Sequence, residues 1–182
     1  MSIHEYATSI LSIVLGLGVA NLLSGLAWMA RNPKNDMYFY VFGVWNLSLL
    51  LSALGMWWGI WTSFKDLEVL TYWMFVPTFL STALFYLASK ILVPQTSLST
   101  VRLDDNFPTV AKPLCLCIAG LVVSVGAAAS GSTFGLEAML AIGLVGIAIA
   151  GVFARRPVQH AAVAVAWLGV YLLQQSVQPD IL

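Results

Sequence analysis

The chain has 182 residues, 60% of them hydrophobic and 9% charged, with a formal net charge of zero. A soluble domain carries about 25% charged residues, so eight basic and eight acidic side chains cannot cover a water-facing surface of this size, and hydrocarbon must be the main solvent. Charge this sparse and balanced also excludes a polyanion-binding surface, and nucleic acid with it.

Six stretches approach or reach the roughly 20 apolar residues that a spanning helix needs. Together they predict an all-α polytopic transmembrane bundle of about six helices, forming a single domain over 1–182. The runs are continuously apolar and do not alternate every second residue, which excludes a barrel.

The first helix is expected over about 7–30. Its apolar run is longer than the core of a cleavable signal peptide and lacks a basic leader, so it reads as a span. Glu5 follows Ser2 at capping-box spacing, and a carboxylate suits the positive end of a helix; an ion or proton site is the alternative. Ser9, Ser12, Gly16, Ala20 and Ser24 form a stripe of small residues, which predicts a face where another helix approaches closely.

The second helix is expected over about 40–62 and ends in Trp57-Trp58-Gly59-Ile60-Trp61. Asn46 lies about six residues inside it, and Asn21 about nine residues from the inner end of the first helix. Antiparallel packing would bring both to a similar depth of roughly 10 Å, which predicts a hydrogen bond between them.

The third helix is expected over about 70–93. Pro77 removes a hydrogen bond to the Trp73 carbonyl, and the hydroxyls of Thr78, Ser81 and Thr82 follow at once to satisfy it. A plain kink is expected there, with a discontinuous binding helix of the transporter kind as the alternative. Lys90, in the last turn, suits the negative helix end and can snorkel to headgroups. A long link, 94–112, is bracketed by Pro94 and Pro113.

The last three helices are expected over about 113–130, 134–154 and 161–177. Residues 113–182 contain 21 Gly or Ala. Gly120, Ser124 and Ala128, and then Gly146 and Ala150, recur at four-residue spacing and predict further helix contact faces. Cys115 and Cys117 point in different directions on a helix and read as small apolar residues. Glu137, in the first turn of the fifth helix, reads as a cap or as dipole compensation at the positive helix end; the alternative is an outer vestibule shared with Glu5. His4 and His160 have no partners at metal-ligand spacing.

Six spans put links one, three and five on one side, with Arg31, Lys34, Arg102, Lys112, Arg155 and Arg156, and Lys90 at its edge; Lys65 alone falls on the other. The positive-inside rule then places both termini outside the cytoplasm and the 94–112 link within it. Trp and Tyr cluster at both expected boundaries, as headgroup-seeking rings should.

The opening Glu5-Tyr6 with Gly16 and Gly18, the pair Trp57-Trp58, and Tyr86-Leu87-Ala88 before Pro94 resemble an uncharacterised bacterial membrane-protein family. Its members begin with Glu-Tyr ahead of a Gly-rich helix and close the third helix with Tyr-Leu-Ala…Leu-x-Pro. The resemblance covers the first half of the chain. It implies a bacterial inner-membrane location and no activity, cofactor or catalytic residue.

No nucleophile elbow, P-loop, dinucleotide fingerprint or zincin motif is present, so no catalytic, cofactor or metal residue is expected. The sequence points to a non-enzymatic helix-packing or partner-binding protein, self-associating or joined to another membrane protein within the bilayer. The alternative is a transporter or channel for a small solute, ion or proton, for which the polar candidates are Glu5, Asn21, Asn46, Pro77 and Glu137.

Overall fold

The structure, a computed structural model, describes residues 3–33, 37–64, 71–93, 103–128 and 136–177. These form six helices and, among the described residues, no strand: α1 (Ile3–Arg31), α2 (Met37–Phe64), α3 (Tyr72–Leu92), α4 (Leu103–Ala128), α5 (Leu136–Phe153) and α6 (Pro157–Val177). Four helical segments are long and apolar enough to cross a membrane: Glu5–Arg31, Met37–Phe64, Tyr72–Leu92 and Thr109–Gly126. The protein is an all-α bundle built for a membrane.

The helices pack in a closed ring in the order α1, α3, α4, α5, α6, α2, and α2 also reaches inward to α3 and α4. Facing residues give the directions. Gly18 meets Phe85 and Gly25 meets Val93, so α1 and α3 run parallel. Trp28 packs on Phe39 and Phe42, while Leu11 shares a cluster with Ile60 and Phe64, so α1 and α2 run antiparallel. Leu51 meets Tyr171 and Gly55 meets Gln175, so α2 and α6 run parallel.

A helix in lipid need not turn a polar face outward, so hydropathy alone does not decide which side it buries. On α1 the buried positions are Ala7, Leu11, Leu15, Gly18, Leu22, Gly25 and Trp28, steps of three and four that make one stripe. On the central α2 they include Phe42, Trp45, Leu49 and Ala53. Trp45, Trp167, Phe42 and Phe85 are the largest fully buried side chains.

Two expectations need correction here. The small-residue stripe of α1 is not the inner face: Ser9, Gly16, Ala20 and Ser24 are exposed, and Ser12 is half-buried. Gly146 and Ala150 of α5 likewise face outward. Large leucines fill the interior of the bundle better than small residues do, so the stripe falls on the opposite side. Second, α4 begins at Leu103, inside the stretch expected as a link, and runs through Pro113. Pro113 does not stop it, since a proline is tolerated within membrane helices. Residues 94–102 of that link lie outside the described residues.

Candidate functional site

Three helices meet around Gly25. A Cβ built there would lie 2.7 Å from Asn46 Nδ2, 2.9 Å from Val93 Cγ2 and 3.3 Å from the Phe42 ring. Only a bare backbone lets α1, α2 and α3 approach this closely. Asn46, from α2, is fully buried in this junction, and neither its Nδ2 nor its Oδ1 has a hydrogen-bond partner. Asn21, one turn before Gly25, donates from Nδ2 to the Ser89 carbonyl of α3 at 2.6 Å. That carbonyl also accepts the Val93 backbone N–H at 3.1 Å.

The expected Asn21–Asn46 bond is therefore not formed. The reason lies in α3, which ends at this depth. The Ser89 carbonyl, in the last turn of α3, has two lone pairs: the Val93 N–H takes one and the Asn21 amide the other. Asn46 then remains as a buried amide without a partner, a costly arrangement in a protein interior.

The buried serine and threonine hydroxyls are satisfied on their own helices. Ser48 donates to the Val44 carbonyl at 2.8 Å and Ser52 to that of Ser48 at 2.8 Å. Ser89 donates to Tyr86 at 2.7 Å and Ser124 to Leu121 at 2.9 Å. Around Pro77, Thr78 bonds the Met74 carbonyl, Ser81 that of Thr78, and Thr82 those of Thr78 and Phe79. These are not the Trp73 carbonyl, as expected from the sequence, because a hydroxyl reaches back three or four residues along its own turn. Helix α3 is continuous across Pro77, which lies in its second turn, so the discontinuous-helix alternative does not hold.

A second feature lies between α2 and α6. Trp45 and Trp167 sit 6.0 Å apart, and Trp167 stacks on Tyr171 at 5.4 Å with rings nearly parallel. The Trp167 indole Nε1 is buried without a partner. The Tyr171 hydroxyl crosses over Gly55 and donates to the Leu51 carbonyl at 3.1 Å. Beyond this ladder the two helices part, leaving an open cleft of about 350 Å³ lined by Leu51, Leu54, Gly55, Trp57, Trp58, Tyr171, Leu172 and Gln175. The Gln175 amide makes no hydrogen bond with a described residue.

No family model, curated protein or solved structure matches this chain.

Of the sequence candidates, the structure brings Asn21 and Asn46 to one junction but gives them different neighbours. Glu5 is exposed in the first turn of α1, where Ser9 donates to its backbone carbonyl at 2.6 Å; Ser2, the expected cap, lies outside the described residues. The side chain of Glu137 also lies outside them. Helix α1 packs on α2 and α3, and α5 on α4 and α6, so these two helices occupy opposite positions in the ring. Among the described residues no cluster of His, Cys, Asp and Glu could hold a metal ion. Cys115 is buried against Gly151, and Cys117 is half-buried.

Sequence reasoning missed Gly25, Trp167, Tyr171 and Gln175. Gly25 carried a readable signal: it is seven residues from Gly18, two turns of one helix face. Gln175 carried none, because an amide near a helix end has no distinguishing pattern.

Proposed function

We propose that this chain is a multi-pass protein of a bacterial inner membrane that works by binding, without catalysis, and associates through the outward face of α1. The observation that carries this reading is the unused small-residue face. Ser9, Gly16, Ala20 and Ser24 are exposed, and nothing lies within 4 Å of a Cβ built at Gly16. In lipid, small residues at four-residue spacing let two backbones approach, and that packing drives association. The resemblance of the first half to the uncharacterised bacterial family supports the location. The distribution of cations favours termini on the non-cytoplasmic side.

The test is association in bilayers, read by energy transfer between labelled copies and by crosslinking to co-purified membrane proteins. Gly16→Leu with Ala20→Leu should cut association at least several-fold at unchanged melting temperature, whereas Leu17→Ile on the same helix should not. Equal association of both variants would sink the reading.

The transporter reading keeps one specific support, the buried amide of Asn46 without a partner, because transport sites present unsatisfied polar groups within the membrane. Uptake of protons, sodium or potassium into proteoliposomes that Asn46→Leu abolishes would favour it over association.

A further inference from the structure

We propose that the cleft between α2 and α6 is a binding site for one acyl chain of a membrane phospholipid, with the Gln175 amide meeting the ester region at its mouth. The cleft lies in the final third of both helices, since α2 ends at Phe64 and α6 at Val177. Trp57 and Trp58 line it, and Trp61 is exposed one turn beyond. Indole rings collect at the headgroup boundary, so the cleft runs from that boundary, at Gln175, toward hydrocarbon, at Leu51.

Besides the indole N–H groups of Trp57 and Trp58, the lining carries two polar groups. The Tyr171 hydroxyl is already engaged by the Leu51 carbonyl. The Gln175 amide makes no hydrogen bond with a described residue, so at the headgroup boundary it can donate to a lipid polar group. An ester carbonyl at this depth accepts from its Nε2. The volume of about 350 Å³ is at the lower end for small-molecule pockets, about 300–1,000 Å³. That volume would hold less than one turn of a helix about 10 Å across with its side chains, whereas a single acyl chain fits. Gly55 makes the site possible: a side chain there would displace the Tyr171 hydroxyl that forms the floor. This site does not depend on the association proposed for α1.

The experiment reconstitutes the full chain in phosphatidylcholine vesicles containing a small fraction of phosphatidylcholine with a diazirine on its acyl chain. Light-induced labels are then mapped by mass spectrometry. Peptides covering 51–58 and 171–175 should be labelled at least five-fold more than equally exposed apolar surfaces, those around Leu116 and Val123 on α4 and Ile142 and Ile149 on α5. Leu172→Trp, a change at an exposed position that fills the cleft, should bring this excess down to background. Gln175→Leu should reduce it while leaving the fold intact by melting temperature. Uniform labelling over all exposed faces would mean ordinary boundary lipid and overturn the proposal. So would a cleft labelled less than the controls, since a protein partner would then cover it, or an excess that survives Leu172→Trp.

Discussion

In the first three helices four of the six glycines are covered, Gly55 by Tyr171 of α6. Gly18 lies under the Phe85 ring, Gly25 under Asn46, Val93 and Phe42, and Gly43 under Met29. In the last three helices most face open space: a Cβ at Gly126, Gly143, Gly146 or Gly169 would meet nothing within 4 Å, and only Gly120 and Gly151 are covered. Among glycines, the last three helices cover two of six where the first three cover four of six. A small residue marks a close approach only where a neighbour supplies bulk. The first half supplies it with Phe42, Phe85 and Trp45, whereas α5 offers mainly aliphatic side chains of its own.

Breaking the covered half should have the largest effect. Gly25→Leu drives a side chain into the α1–α2–α3 junction and should cost about 3 kcal/mol, the upper range for overpacking, or abolish recovery of folded protein. Gly146→Leu, facing open space, should stay within about 0.5 kcal/mol in monomeric micelles, the usual range for such surface changes. Thermal unfolding of the two variants side by side checks the comparison. Equal damage would show that the outward face of α5 is packed against something.

The two asparagines sharpen the same contrast inside the junction. Asn46→Leu replaces an unpartnered buried amide by an apolar group of similar size and should stabilise the bundle by about 1–3 kcal/mol. Asn21→Leu removes the bond to the Ser89 carbonyl and should cost about 0.6–1.7 kcal/mol. The signs are opposite. The double variant should be additive within about 0.5 kcal/mol; strong coupling would restore the direct bond that the sequence suggested.

The helical class was legible because a sequence with so few charges has one stable solution in lipid, and the six helices follow its apolar runs. What could not be read was the rotation of each helix about its axis. Hydropathy periodicity orients a helix in water, but α1 and α5 are apolar all round and carry no such mark. Small size suggested Ser9–Ser24 as a helix contact face without saying which side it takes, and Leu11, Leu15 and Leu22 fill the inner one. Of the candidate site, the depth of Asn21 and Asn46 was readable from their distance to the helix ends. Their partners were not, because the end of α3 beside Asn21 depends on how three helices stagger.

A smaller effect is expected at the seam between the two halves. Tyr171→Phe removes the hydroxyl that joins α6 to the Leu51 carbonyl of α2, while the stacking on Trp167 remains. The loss should be about 0.6–1 kcal/mol, ordinary for an interhelical hydrogen bond in a membrane protein, measured by unfolding in mixed micelles. A much larger loss would mean that this one bond holds α6 to the first half.

The smallest effect is expected at Pro77. A proline deep in a helix interior costs about 3 kcal/mol through its missing N–H and its clash with the preceding turn. Pro77 lies in the second turn of α3, where the orphaned carbonyl belongs to Trp73, an exposed residue at the helix start. The hydroxyls of Thr78, Ser81 and Thr82 bond carbonyls further along the same helix, so none depends on the proline. Pro77→Ala should therefore change stability by less than about 1 kcal/mol and leave the helical content by circular dichroism unchanged. Any flux measured in proteoliposomes should also persist. If flux disappears while stability and helix content hold, α3 bends at Pro77 during a working cycle, and the transporter reading gains the moving part that a continuous helix does not provide.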